Sequence, residues 1–129
     1  MADPAPYTIE YDDRGDYLRA LVTGAVDTVL TSLSYWNEIA AECRGRGMTR
    51  LLVIENFGTS APLGDVFQVA EKLPAIVRGL RVAFVDRRLE DYSENQFGEL
   101  VAVNRGVIGK LFADESEAVR WLENVGQTP

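Results

Sequence analysis

The sequence lacks histidine altogether and has a single cysteine, Cys43, among its 129 residues. Because histidine is the commonest general base and metal ligand, its absence excludes Ser-His-Asp and Cys-His catalysis and histidine-based zinc sites. One cysteine cannot form an intrachain disulfide, and a single thiol fits a reducing compartment. We therefore expect a fold that needs no disulfide, metal or cofactor.

Long apolar runs and a basic surface are lacking as well. No run approaches the roughly eighteen apolar residues of a membrane-spanning helix, and the N-terminal residues lack the basic and apolar regions of a signal peptide. A cytoplasmic protein without a membrane span is expected. The net charge of -7 and the pI of about 4.6 argue against nucleic acid or an anionic membrane as a partner, since both attract basic surfaces.

The rest of the sequence is typical of one domain of ordinary size. We predict a domain over residues 7–126, preceded by a flexible N-terminus at 1–6 and followed by a short tail at 127–129. Segments with strand and helix periodicity alternate in the order β-β-α-β-α-β-α-β-α. This order predicts a single-domain α/β fold with a mixed, mostly parallel sheet, in which the first hairpin supplies an antiparallel strand.

Local signals predict where individual elements begin and end. The acidic stretch at 12–16, DDRGD, is typical of a hairpin turn, and the apolar spacing further on predicts a helix over about 29–44 with Cys43 in the core. Capping-box sequences at 65–68, 93–96 and 114–117 predict three helix starts, the first of them near Val66. Pro74 is expected to kink or divide that helix.

The stretch at 49–64, TRLLVIENFGTSAPLG, organises the predicted fold. Its apolar run is typical of a strand covered on both faces, and it leads into a loop at 57–64 that is longer than usual. Ligands of open α/β sheets bind at the carboxyl ends of the strands. We therefore predict that a ligand or partner contacts the loops after this strand and the next, through the following residues: Asn56, Gly58, Thr59, Ser60, Asp86 and Arg87.

Two residue pairs allow both a functional and a structural interpretation. Glu55 and Asp86 each end a predicted strand and would divide acid and base roles if their pKa values differed, whereas most strand-end carboxylates are solvated or accept hydrogen bonds from loops. Trp36 and Trp121 lie on helical stripes, where core packing is the more common role and lining of an apolar pocket the alternative. An enzyme acting through the carboxylate pair therefore stays an alternative to a non-catalytic protein.

Five short segments carry a family resemblance. They are LVTG at 21–24, LLVI at 51–54, VAFV at 82–85, NRG at 104–106 and FADESEAVRWL at 112–122. Together with the element order, they resemble the SpoIIAA-like proteins, soluble relatives of the STAS domain (sulfate transporter and anti-sigma factor antagonist). The resemblance implies a small STAS-like domain that binds a partner or ligand and has no established catalytic activity. In anti-sigma factor antagonists the loop after the central strand carries a phosphorylatable serine, which implies Ser60, or less favourably Thr59, as the candidate phosphoacceptor.

Two functions of different classes follow from these observations. The first is a non-catalytic regulatory or interaction domain of the SpoIIAA-like type, which binds a protein partner or a small apolar or anionic ligand through the loops after the central strands. The second is a small-molecule or lipid-binding module, or a minor carboxylate-based enzyme, at the same loops. A concave apolar cavity there would favour the second, and a filled core with a flat loop surface the first. A homodimer is compatible with both.

Overall fold

The hairpin at the start of the domain forms where the acidic turn predicts it. The computed structural model describes residues 6–59 and 61–124. Gly15 adopts a φ of 83° and donates its N–H to Asp13 Oδ1 at 2.9 Å. The chain thereby turns from β1 (Tyr7–Asp13) into β2 (Leu18–Gly24), and the two strands pair antiparallel over their whole length.

The remaining strands alternate with helices. They follow in this order: α1 (Val29–Gly45), β3 (Arg50–Phe57), α2 (Leu63–Ile76), β4 (Arg81–Asp86), a 3-10 helix (Leu89–Asp91), α3 (Tyr92–Asn104), β5 (Ile108–Phe112) and α4 (Glu115–Glu123). The sheet has the strand order β1-β2-β3-β4-β5, and β2 to β5 run parallel. The expected single α/β domain with a mixed, mostly parallel sheet is thus confirmed.

The apolar run of β3 is buried on both faces of the sheet. Leu51 and Val53 pack in one core with α1 and α2, whereas Leu52 and Ile54 pack in a second core with α4. Because successive strand residues point to opposite faces, a run without alternation suits a strand covered by helices on both sides. Cys43 is fully buried in the first core, which confirms its predicted role.

Three helices lie side by side on one face of the sheet. α1 packs on α2, and α2 packs on α3. Sequential parallel strands joined by right-handed crossovers place their helices on the same face in this way. α4 follows the last strand and covers the other face with Ala118 and Leu122. The ends of β2, β3 and β4 therefore meet the starts of α1, α2 and α3 at one edge of the domain, which we call the carboxyl edge.

The predicted start of α2 is wrong. The helix begins at Leu63, earlier than the predicted Val66, because the carbonyl of Pro62 accepts the N–H groups of Asp65 and Val66 at 3.0 and 3.1 Å. Asp65 therefore lies in the first turn, where its negative charge favours the helix dipole, and does not act as the cap. The connection after β3 is correspondingly shorter than the predicted loop.

The predicted start of α3 is wrong as well, while that of α4 is confirmed. α3 continues directly from the 3-10 helix, so Ser93 already lies inside it and lacks the extended backbone of an N-cap. Asp114, in contrast, accepts the N–H of Glu117 at 2.9 Å, as its capping-box position predicts. α2 runs through Pro74 to Ile76, so the proline does not divide that helix.

Candidate functional site

A cavity of about 130 Å³ lies between the sheet and the helices α2 and α3 and extends to the carboxyl edge. Its walls are largely apolar and include these side chains: Val66, Val69, Leu73, Phe84, Ala102 and Val107. Much of the apolar stripe of α2 faces this space. Val66, Val69 and Leu73 are therefore only half-buried, although the sequence pattern predicts a buried stripe.

Small residues hold α2 and α3 together above the sheet. Ala70 of α2 packs with Ala102 and Val101 of α3. A Cβ placed on Gly98 would lie 2.9 Å from Val66 Cγ1, so the two helices approach closely there only because Gly98 lacks a side chain. The cavity lies beneath this contact, between the two helices and the sheet.

The end of the cavity at the carboxyl edge is acidic. Glu55 and Asp86, at the ends of β3 and β4, are register partners on adjacent strands and both line the cavity. Asp27, which follows β2, lines the same end. We call Asp27, Glu55 and Asp86 the carboxyl cluster. The register thus places Glu55 and Asp86 side by side on neighbouring strands, and the fold adds a third carboxyl group.

Tyr35 of α1 joins two members of the carboxyl cluster. Its hydroxyl is hydrogen-bonded to Glu55 Oε2 and lies 3.0 Å from Asp27 Oδ2. A tyrosine hydroxyl has one proton and donates it to one carboxylate at a time. The two contacts together therefore need a further proton on one of the two carboxyl groups. Asp27 Oδ1 also accepts the hydroxyl of Ser32 at 2.5 Å.

Asp86 is held by donors from its own neighbourhood in the chain. Its carboxylate accepts the backbone N–H of Arg88 and the side-chain amide of Asn95, both at 2.8 Å. These two bonds fix Asp86 between the loop after β4 and the first turn of α3. Its position at the cavity is therefore set by the fold.

Burial raises the pKa of every member of the carboxyl cluster. It places the pKa of Glu55 well above its usual range, and the charge of Asp27 raises it further. Burial likewise raises the pKa values of Asp27 and Asp86, although both accept hydrogen bonds that lower them. Desolvation disfavours the charged form of a carboxyl group. The carboxyl cluster therefore binds protons more readily than exposed carboxylates do.

Arg88 also lines the cavity, but its guanidinium group is engaged with other partners. Nη1 donates to the carbonyl of Gly58 at 2.9 Å, Nη2 lies 3.0 Å from Glu90 Oε1, and Nε lies 3.3 Å from Asp91 Oδ2. These contacts tie the loop after β3 to the 3-10 helix. Within residues 6–59 and 61–124, no Lys or Arg forms an ion pair with the carboxyl cluster.

Two carboxylate oxygens at the cavity have no hydrogen-bond donor among the described residues. The side chain of Glu55 belongs to a residue only 9% exposed, and its single bond, from Tyr35, goes to Oε2 and leaves Oε1 without a donor. Glu94 of α3 lines the cavity, and its Oε2 is buried without a partner. Because buried acceptors in proteins nearly always have donors, Glu94 Oε2 points to a donor from another molecule. Glu55 Oε1 is not fully enclosed by protein and is open to the cavity that the residue lines.

The predicted site residues divide between the cavity and its surroundings. Thr59 and Asp86 line the cavity, whereas Asn56 and Arg87 are not among the residues that line it. Side chains alternate along a strand, so Asn56 faces away from the side on which Glu55 lies. Asn56 lies within β3 and Arg87 directly follows β4, and the side chains of both lie away from the cavity.

Gly58 supports the loop after β3. Its N–H bonds the carbonyl of Ala25 at 3.1 Å, and a Cβ on Gly58 would lie 3.1 Å from that same oxygen. The loops after β2 and β3 are therefore packed together at the carboxyl edge, and Thr59 Oγ1 adds a contact to Ala25 O at 3.4 Å. Ser60, the candidate phosphoacceptor, lies outside the described residues.

Sequence reasoning missed Asp27 and Tyr35 as site residues. Asp27 and Thr28 both have the residue type of a helix cap, and Thr28 is the cap of α1, accepting the N–H of Thr31 at 3.1 Å. The carboxylate of Asp27 therefore does not cap the helix, and Asp27 lines the cavity. Tyr35 lies within a helical segment whose pattern gave no sign that its hydroxyl is buried against two carboxyl groups.

The two tryptophans have different surroundings. Trp36 is buried in the first core and also lines the cavity, with its ring centre 6.1 Å from that of Phe84. Trp121 is partly buried and packs against the second core, with the guanidinium carbon of Arg81 3.6 Å from its ring centre. Trp36 therefore combines both predicted roles, and Trp121 packs at the edge of the core.

Comparisons with known proteins do not assign this protein to a family. No protein-family model matches the sequence, and a search of curated proteins finds no match. Within the described residues, no group of three or more Cys, Asp and Glu side chains is arranged to hold a metal ion. Among the helices described, none is both long and apolar enough to cross a membrane. The cavity and the carboxyl cluster therefore carry the inference of function.

Proposed function

We propose that this protein binds a small organic molecule. The apolar part of the ligand occupies the cavity beneath α2 and α3, and its polar end meets Asp27, Glu55 and Asp86. The observation that carries the proposal is a concave apolar space that ends in a few convergent polar groups, the usual character of a ligand site. Its place at the carboxyl ends of parallel strands is where open α/β sheets bind ligands.

The size of the cavity limits the ligand. An engineered cavity of about 150 Å³ lined by apolar side chains binds benzene, and the volume here is about 130 Å³. A single aromatic ring or a branched chain of similar bulk therefore fits, with the polar group projecting toward the carboxyl edge. A long lipid chain would need α2 and α3 to separate.

A protein partner at the carboxyl edge is the second candidate, in line with the SpoIIAA-like resemblance. Large apolar side chains are exposed in the loops and first helical turns at this edge: Val26, Leu30, Leu63 and Leu89. Exposed apolar residues gathered at one place favour an interaction surface. This regulatory role requires no filled cavity, so the two candidates are separable by changing the cavity alone.

Filling the cavity tests ligand binding. Ala102 is buried and lines the cavity, so Ala102→Leu places three additional carbon atoms in the space that the ligand would occupy. Asn104→Leu introduces the same leucine side chain on the exposed surface of the same helix and serves as the control. Benzyl alcohol is the probe, and its dissociation constant is measured by chemical-shift titration of the backbone amides.

We expect benzyl alcohol to shift the amides of α2, α3 and β4 in the unchanged protein and in Asn104→Leu. In Ala102→Leu the affinity should fall at least tenfold, while the amide spectrum away from α2 and α3 stays that of the folded protein. Equal affinity in the two variants, or shifts confined to the opposite face around α4, would contradict the proposal. Native mass spectrometry of protein purified from its own host would then identify a natural ligand by its mass.

A further inference from the structure

The end of the cavity at the carboxyl edge has more acceptors than donors. Glu55 Oε1 and Glu94 Oε2 have no donor among the described residues, and both residues line the cavity. The Glu55 residue is more than nine-tenths buried, so water access to its free oxygen is limited to the cavity itself. A molecule bound there would have to bring hydrogen-bond donors with it.

The chain supplies little positive charge to this end of the cavity. Arg88 uses its guanidinium nitrogens on Gly58, Glu90 and Asp91. Among the described residues that line the cavity, Lys110 is the other basic one, and its Nζ lies 5.6 Å from the ring centre of Phe112, which packs in the core on the opposite face. The charges that act on Glu55 are those of Asp27, Asp86 and Asp91, whereas the charge of Arg88 acts on Asp86 and lowers its pKa.

From this arrangement we infer that the ligand carries a protonated amine at the end that faces Glu55, Asp86 and Glu94. The inference rests on the proposed binding function and adds the chemical class of the ligand. An ammonium group has three donors and no acceptor, and its charge complements the carboxylates. A carboxylate head would bring further acceptors and a like charge, and an alcohol would bring one donor without charge.

Two of the carboxylates at the cavity already receive hydrogen bonds from the chain, and two have an oxygen left for the head group. Asp27 already accepts Ser32 and Tyr35, and Asp86 already accepts Arg88 and Asn95. The oxygens without donors belong to Glu55 and Glu94, on β3 and α3, which form facing sides of the cavity. An amine held between them would also bridge the sheet to α3.

Three probes with the same ring test the head group. Benzylamine, benzyl alcohol and benzoate differ in charge and donors but share an apolar body of the size that the cavity accepts. Their dissociation constants are measured by amide chemical-shift titration at pH 8, where the amine is still protonated. One hydrogen bond to a charged group contributes roughly tenfold or more in affinity. We therefore expect benzylamine to bind at least tenfold more tightly than benzyl alcohol, and benzoate to bind most weakly.

The variant Glu55→Gln tests whether Glu55 is the residue that binds the amine. Gln has nearly the same shape but no charge, so the preference for benzylamine over benzyl alcohol should fall to within about threefold, while the affinity for benzyl alcohol stays the same. Glu10→Gln, on the exposed side of β1, is the control and should keep the full preference.

Three kinds of result would count against the inference. Equal binding of benzylamine and benzyl alcohol, or tighter binding of benzoate, would show that the cavity accepts the ring without an amine, and the proposed binding function would stand. No amide shift with any of the three probes would overturn both. A preference that persists in Glu55→Gln would place the amine away from Glu55 and contradict the assignment.

Discussion

Replacing Glu55 by Gln should change how stability depends on pH. Burial raises the pKa of Glu55 well above its usual range in the folded state, whereas in the unfolded chain a Glu has a pKa of about 4.3. Between these two pKa values the folded protein holds a proton that the unfolded chain has released. Stability then falls as pH rises, because the unfolded state binds fewer protons than the folded state.

The magnitude follows from proton linkage. A difference of one proton changes the free energy of unfolding by about 1.4 kcal/mol per pH unit over the interval between the two pKa values. The contribution is fully present below the unfolded pKa and is lost as pH rises through the folded pKa. Gln keeps an acceptor for the Tyr35 hydroxyl but binds no proton. Glu55→Gln should therefore gain stability relative to the unchanged protein as pH increases from 4 to 8.

Urea unfolding followed by circular dichroism, repeated at each pH from 4 to 8, measures this difference. Asp27 and Asp86 titrate in both proteins, so subtracting the two curves reports chiefly on Glu55 and its coupling to Asp27. Glu10→Gln is again the control, because Glu10 is exposed on β1. Parallel curves for Glu55→Gln and the unchanged protein would refute the reasoning, as would a variant that loses stability toward pH 8.

Three further predictions concern the fold. Leu122→Ala should lower the free energy of unfolding by about 2–5 kcal/mol, because Leu122 is fully buried in the second core; a loss below 1 kcal/mol in urea unfolding would contradict that packing. Thr28→Ala should cost about 1 kcal/mol, because the hydroxyl that caps α1 is removed; an unchanged urea midpoint would mean that another group caps the helix. Reductant or chelator should leave the melting temperature unchanged, because Cys43 is a free buried thiol; a clear drop in a thermal scan would show a disulfide or metal.

Strand positions were predictable because they depend on patterns that any covered sheet requires. Leu51 to Ile54 must be apolar at every position when helices cover both faces, and the structure buries all four side chains. The hairpin was predictable for a similar reason, since Gly15 is needed at a position with a φ of 83°. Such requirements are local or periodic and are therefore visible in the sequence.

Helix starts were less predictable because side chains and backbone compete to determine them. Asp65 and Ser93 have the residue type of a cap, but Pro62 and the 3-10 helix direct the chain into helical geometry before either is reached. A capping side chain acts only where the backbone is extended. Asp114 meets that condition with φ -136° and ψ 156°, and there the prediction is confirmed.

The cavity was beyond sequence analysis because an apolar helix face looks the same whether it meets side chains or empty space. Val66 and Val69 have the spacing of core residues, and only the distance of α2 and α3 from the sheet decides that they line a cavity. The two helices meet where Ala70 packs with Ala102 and Val66 with Gly98, and the partners in each pair are far apart in the sequence. Asp27 enters the site through the same assembly, by following a strand adjacent to β3.

Glu55 connects the stability of the domain to its proposed function. A buried carboxyl group whose pKa is raised destabilises the folded state at neutral pH, so an uncharged side chain of the same shape would serve the fold better. Residues that break a rule of folding in this way are expected at functional sites. A bound ammonium would reverse the effect, since an opposite charge beside a carboxylate favours its ionised form.

If Glu55 serves amine binding, Glu55→Gln should be the more stable protein at pH 8 and the one without a preference for benzylamine. Loss of the preference without a gain in stability would mean that Glu55 binds the amine but is already compensated in the free protein. A gain in stability with the preference intact would assign the amine to Asp86 or Glu94.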